Sequence, residues 1–246
     1  MSLLVSFLCR FGWGMCVGLL LTPATVPPGF FRVNLLVVLG LATLASLATA
    51  AAVPDLPWWL PATAAVAAWI GGVLWLAMRV RPARVATLVA AVCLAAAAWR
   101  VEGIGRGGLA AAALGGGGLV SGLLVGLTVH AMLLGHWYLN APGMRVDILD
   151  RMVRWTLLAW ALAAALATAG LPSLFAEAGD PPTIALAGLR WLSGLVGLPI
   201  LLVMSRRTLE IPNTQSATGI LYVACLAAVS GELTAQLLAE RAGWPL

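Results

Sequence analysis

The stretch Leu114–Ala141, LGGGGLVSGLLVGLTVHAMLLGHWYLNA, decides the class of the fold. It contains no Asp, Glu, Lys or Arg, and it exceeds the roughly 20 residues that an α-helix needs to cross a hydrocarbon core of about 30 Å. A helix satisfies its own backbone hydrogen bonds, as a lipid-exposed segment must. The stretch therefore predicts a membrane-spanning helix.

Seven further windows share this length and apolar character. Hydrophobic residues make up 62% and charged residues 9% of the 246 positions, whereas a soluble domain has about 25% charged residues. The sequence predicts an all-α polytopic membrane protein with about eight transmembrane helices. Because the connections are short, 1–246 is expected to be a single integral membrane domain. The predicted spans are Ser2–Pro23, Val33–Val53, Trp58–Met78, Ala83–Trp99, Leu114–Ala141, Met152–Leu171, Ile184–Met204 and Ser216–Ala239.

The arginines predict the orientation, because basic residues accumulate in cytoplasmic loops. We expect both termini on the extracytoplasmic side of a bacterial cytoplasmic (inner) membrane. The net charge of +5 then reflects topology, and nucleic acid is not an expected partner. The predicted cytoplasmic arginines are Arg32, Arg79, Arg81, Arg84, Arg145, Arg151, Arg154, Arg206 and Arg207, and the predicted outer ones are Arg100, Arg106 and Arg241.

Weak internal similarity suggests two parallel four-helix halves, 1–100 and 114–246. For example, Cys93-Leu-Ala-Ala in span four matches Cys225-Leu-Ala-Ala in span eight. Parallel repeats of this kind are related by an axis along the membrane normal. The glycine-rich segment Val101–Gly118 between them predicts a flexible outer connection.

Three charged residues lie well inside predicted spans, away from the span ends: Arg10, Arg190 and Glu232. Each lies roughly 9 to 12 Å below the outer boundary, at about 1.5 Å per residue. An unpaired charge at such a depth costs about 2.5 to 3.5 kcal/mol, so we expect Glu232 to pair with Arg190, with Arg10 joining them or turning outward. Two interpretations stay open: an anion, quinone-headgroup or proton site, and a clamp between helices.

His130 follows Gly118, Gly122 and Gly126 at intervals of four residues. Small residues at this spacing form the face where membrane helices pack most closely. His130 is therefore expected to face protein, and it is a candidate proton relay together with the buried charges.

A second candidate site is His136, Trp137, Tyr138 and Asn140, at the predicted cytoplasmic end of span five. Amphipathic rings at this level serve as interfacial anchors. The alternative is a ligand niche, in which His136 and Asn140 offer hydrogen bonds to a quinone headgroup and an aromatic ring supplies a flat wall.

Pro199 lies inside span seven and has no N–H to donate. It is expected to kink that helix and to free a carbonyl that another helix or a water must satisfy.

The chain is not expected to hold haem or a metal by itself. Its two histidines, His130 and His136, are separated by about 120° and about 9 Å on one helix, so they cannot bind one ion together. No catalytic motif is recognisable, and the catalytic residues and any enzymatic activity stay open.

Three functions remain after these exclusions. The sequence favours an integral membrane subunit of an electron-transfer or quinone-linked system, which binds a quinone-like ligand, relays protons and associates with other membrane or redox subunits. The alternatives are a small permease with a buried Arg/Glu cargo site and a non-catalytic assembly subunit. The layout is similar to that of haem-free, quinol-interacting membrane subunits, in architecture alone.

Overall fold

The computed structural model describes residues 2–53, 55–103, 107–141, 143–172, 181–211 and 213–242. Within these ranges the chain is helical and has no strand, and eight helices are long and apolar enough to cross a membrane, as predicted. Arg106, which was counted for the orientation, lies outside the described residues. The helices are α1 Ser2–Leu21, α2 Pro28–Ala52, α3 Trp59–Leu76, α4 Val80–Gly103, α5 Gly108–Asn140, α6 Val146–Ala169, α7 Pro181–Glu210 and α8 Thr214–Ala242.

The helix neighbours form two rings that share one seam. In the first ring α1 packs on α2, α2 on α3, α3 on α4 and α4 on α1. In the second, α5 packs on α6, α6 on α7, α7 on α8 and α8 on α5. The seam is α5, which packs on both α1 and α4.

Glycines line the seam, and because they have no side chain, the backbones of α1 and α5 come into direct contact. A Cβ at Gly14 would lie 2.1 Å from the carbonyl oxygen of Gly122, and a Cβ at Gly126 would lie 2.3 Å from the Cα of Gly14. Nearby, the indole Nε1 of Trp13 donates to the Leu119 carbonyl at 3.1 Å. This is the close approach that small residues permit between membrane helices.

The prediction of a flexible connection over Val101–Gly118 is wrong for most of that segment. Helix α4 continues to Gly103 and α5 begins at Gly108, while residues 104–106 lie outside the described residues. The glycines of α5 are helical because neighbours pack on them: a Cβ at Gly115 would lie 2.8 Å from the Trp99 ring. Packing outweighs the low intrinsic helix propensity of glycine here.

Helix α7 is irregular where the sequence predicts a kink. A π-helical segment, Arg190–Gly197, ends two residues before Pro199. The carbonyl of Leu195 lies four residues before Pro199, which has no N–H to offer it, and it accepts a hydrogen bond of 3.2 Å from Nε1 of Trp160 on α6. The prediction that another helix satisfies this carbonyl is therefore confirmed.

Candidate functional site

A buried ion network joins α1, α4 and α8. Nη1 of Arg10 donates to Oε1 of Glu232 at 2.8 Å, and its Nη2 lies 2.7 Å from Oε1 of Glu102. The side chains of Arg10 and Glu232 are 6% and 2% exposed. The planar guanidinium has enough donors to hold two carboxylates at once, so one arginine links three helices.

Two neutral side chains support the carboxylates of this network. The Ser6 hydroxyl donates to Oε1 of Glu102 at 2.6 Å, and Nε2 of Gln236 donates to Oε1 of Glu232 at 2.8 Å. Even so, Nε of Arg10 and Oε2 of Glu232 are buried and have no hydrogen-bond partner among the described residues. Such orphaned atoms are uncommon in folded proteins and call for a water or a ligand.

The partner of Glu232 is Arg10, so the prediction that it pairs with Arg190 is wrong. Arg190 is only 4% exposed, it makes no hydrogen bond or ion pair with another described residue, and its Nε is orphaned. Its guanidinium lies over the crossing of α7 and α8, where a Cβ at Gly194 would be 2.9 Å from Nη1. Arg190 does line the same cavity as Arg10, but the direction of its side chain depends on helix packing.

A small polar cavity separates Arg190 from Arg10. Its free volume of about 20 Å³ holds about one water or one oxygen-sized group. Helices α5, α6 and α8 complete its wall, and Ser121 of α5 supplies a hydroxyl. Two arginines therefore flank a space that accepts one hydrogen-bonding atom.

An apolar groove of about 550 Å³ lies between α1, α5 and α6. Trp155, Leu158 and Leu162 form its α6 side and are themselves exposed on the outside of the helix bundle. Groove and polar cavity succeed each other along the same helix pair: Leu162 lines the groove, and Leu166, one turn further, lines the cavity. We call the two together the α5–α6 crevice.

His130 is fully buried but lies far from the ion network. It is twelve residues, about 18 Å, beyond Gly118, where an added Cβ would lie 2.7 Å from Nε of the Arg10 guanidinium. Its Nε2 lies 2.8 Å from the Thr22 hydroxyl, which donates to the Gly18 carbonyl at 2.8 Å. Since that carbonyl can only accept, Nε2 of His130 is the donor to Thr22. Nδ1 has no hydrogen-bond partner among the described residues.

Replacing Thr22 by valine is expected to cost about 1 to 3 kcal/mol of folding free energy, because the buried imidazole N–H loses its acceptor. The matched control is Thr156→Val. Thr156 is equally buried and also donates to the carbonyl four residues earlier, but no described side chain bonds to it. Thermal unfolding of the purified variants measures the difference, and equal losses for both would show that His130 gains nothing from Thr22.

His136 and Asn140 are exposed at the end of α5. Nδ1 of His136 lies 3.1 Å from the hydroxyl of Tyr222 on α8, and Asn140 donates to the His136 carbonyl at 3.4 Å. Tyr222 is not indicated by the sequence, because the contact between α5 and α8 is set by helix packing.

Trp137 and Tyr138 face other parts of the fold. Trp137 packs edge-on against Phe30 of α2, with ring centroids 5.8 Å apart, while the hydroxyl of Tyr138 donates to the Arg145 carbonyl. Successive helical residues differ by about 100° in direction. Of the four residues predicted as a ligand niche, His136 and Asn140 stay together at the exposed end of α5, whereas Trp137 and Tyr138 contact other parts of the fold.

Glu102 is the residue of the ion network that the sequence did not indicate. It was assigned to the glycine-rich connection, whereas α4 continues past it to Gly103. The available signal is a lone carboxylate close to the predicted outer end of span four, while the charge of Arg10 in span one needs a partner.

Among the described residues, no group of three or more His, Cys, Asp and Glu side chains could hold a metal ion. Comparisons with known protein families, curated proteins and solved structures find no match to this chain. The functional argument therefore depends on the geometry of the site.

Proposed function

We propose that this chain is an integral membrane subunit of a quinone-linked electron-transfer system and that a quinone-like amphiphile occupies the α5–α6 crevice. The observation that carries the proposal is that an apolar groove and a polar cavity follow each other along one helix pair. The cavity is flanked by Arg190, which has no hydrogen-bond or ion-pair partner among the described residues. An isoprenoid tail suits the groove, and a polar headgroup suits the cavity, as in ligand sites that combine apolar walls with few polar groups.

The charge balance of the site favours an uncharged headgroup. Among the described residues, the cluster contains Arg10 and Arg190 with two positive charges and Glu102 and Glu232 with two negative ones. These four charges sum to zero when all are ionised. An added anion would leave a net charge in a medium of low dielectric constant, which is costly. A quinone carbonyl accepts a hydrogen bond and adds no charge.

The proposal also includes the orientation of the chain in the membrane and its division into two four-helix halves. Both termini lie outside the cytoplasm of a bacterial inner membrane, in accord with the distribution of arginines. The two rings of helix neighbours, α1 to α4 and α5 to α8, support two parallel halves. Electrons would come from redox subunits bound to this chain.

Filling the groove tests this proposal. Ala161 lines the groove and its side chain is exposed, so Ala161→Trp adds a large ring without disturbing the core. We expect the amount of quinone that co-purifies with the protein to fall at least about tenfold, which corresponds to about 1.4 kcal/mol. Mass spectrometry of the extracted lipids measures it.

The control is Ala165→Trp, on the same helix and also exposed, but lining neither the groove nor the polar cavity. It should keep the quinone content of the wild type. If wild type and both variants carry equal amounts of quinone, or none at all, the groove is not its site and the proposal fails.

A small permease with a buried Arg/Glu cargo site is the second candidate, favoured by the absence of a partner for Arg190 among the described residues. Counterflow of a labelled anion in proteoliposomes would support it. Co-purifying subunits without quinone or transport would instead indicate an assembly subunit.

A further inference from the structure

Arg190 is the least compensated charge of the described core. It is 4% exposed and no described carboxylate contacts it, although Glu232 acts on it electrostatically. Burying charged donors without acceptors costs several kcal/mol. This cost is small when a bound molecule supplies a hydrogen-bond acceptor to the N–H groups of the arginine.

The position of Arg190 restricts what that acceptor can be. The cavity between Arg190 and Arg10 has a free volume of about 20 Å³, which accommodates one oxygen and not a ring. A larger body attached to that oxygen has to extend along α5 and α6, where the groove of about 550 Å³ begins one turn away. The site therefore fits an oxygen that projects from the end of an elongated apolar molecule.

We propose that Arg190 is the headgroup-binding residue of the α5–α6 crevice and that it donates an N–H to the carbonyl oxygen of a quinone ring. This inference depends on the proposed function, since it assigns the headgroup end of the same crevice. Arg10 is already engaged by Glu102 and Glu232, so Arg190 is the arginine with donors to spare. The neutral cluster around it favours a carbonyl over a phosphate or a carboxylate.

The test uses the full chain in mild detergent, with thermal unfolding as the readout. Three probes are compared: a benzoquinone with one isoprenoid unit, the corresponding prenyl alcohol without a ring, and inorganic phosphate. We expect the benzoquinone to raise the unfolding midpoint of the wild type. In Arg190→Gln its apparent affinity should fall about tenfold, as for loss of one hydrogen bond to a charged donor, while any effect of the alcohol stays unchanged.

Arg190→Lys serves as a second variant, because it keeps the positive charge if Arg190→Gln does not fold. Lysine lacks the planar fork, so the benzoquinone should bind it more weakly than the wild type and no more weakly than Arg190→Gln. The assignment would be overturned if both variants bound the benzoquinone with wild-type affinity. If only Arg190→Lys folds, wild-type affinity of that variant for the benzoquinone would be sufficient to overturn it. Stabilisation by phosphate without any effect of benzoquinone would overturn it as well.

The failure of this inference can be distinguished from the failure of the proposed function. If Ala161→Trp abolishes benzoquinone binding but the Arg190 variants retain it fully, the crevice holds quinone and only the role of Arg190 is wrong. If Ala161→Trp leaves the amount of co-purified quinone unchanged and benzoquinone binds to neither the wild type nor any variant, both proposals fail together.

Discussion

Gly126→Ala is expected to destabilise the fold by about 3 kcal/mol or more, at the upper end of the cost of overpacking a core. A Cβ at this position would lie 2.3 Å from the Cα of Gly14 and 2.4 Å from the backbone nitrogen of Met15. Because both contacts are backbone atoms, no side chain can rotate away. Helix α1 has to move off α5, and the seam between the two rings opens.

Glycines with open surroundings provide the control. No atom of the described residues lies within 4 Å of a Cβ added at Gly40 in α2 or at Gly219 in α8. Alanine at these positions is expected to be neutral or to stabilise by up to about 1 kcal/mol, because it has the higher helix propensity. Unfolding of the three variants in one detergent gives the comparison, and a Gly126→Ala protein as stable as Gly40→Ala would contradict the close α1–α5 contact.

Arg10→Gln is expected to cost about 3 to 5 kcal/mol, the usual loss when one partner of a buried ion pair is removed. The substitution leaves the carboxylates of Glu102 and Glu232 close together in the core without the guanidinium that joins them. Helices α1, α4 and α8 then lose their shared contact, and either a carboxylate takes up a proton or the helices separate.

An exposed ion pair on the same chain serves as the control. Arg145 and Asp147 lie 3.1 Å apart, with side chains 82% and 53% exposed, and Asp147→Asn is expected to cost less than about 1 kcal/mol. Chemical or thermal unfolding at neutral pH measures both losses. If Arg10→Gln is no more costly than Asp147→Asn, the buried network does not hold the three helices together.

The sequence predicted the features that depend only on the position of a residue along its own helix. Eight apolar windows gave eight helices, and Arg10 and Glu232, placed at similar depths by counting residues, do meet. The missing N–H of Pro199 correctly implied a carbonyl that needs a donor, although Trp160 could not be named.

The sequence could not predict which side chains pair between helices, because these contacts depend on the rotation of each helix about its own axis. The choice of Arg10 over Arg190 as the partner of Glu232 is a matter of side-chain direction, and the α7 backbone is π-helical at Arg190. The sequence does not indicate Glu102 as a partner of Arg10, because the neighbouring glycines predict a loose connection, whereas in α5 they mark close packing.

The α5–α6 crevice could not be predicted from the sequence either. Its walls come from helices far apart in the chain, and residues such as Ala161 and Leu162 are indistinguishable from other apolar residues of α6 until α1 and α5 are placed beside them. By contrast, His136 and its neighbours stood out in the sequence, and the structure directs them to separate partners.

The most direct measurement is an electron cryo-microscopy map of the wild-type chain purified from a quinone-containing membrane, at a resolution that shows bound lipids. The account predicts one elongated density along α5 and α6, with its ring end at Arg190 and a single isoprenoid tail beside Trp155. An empty crevice, or a two-chain phospholipid with its phosphate at Arg190, would contradict it.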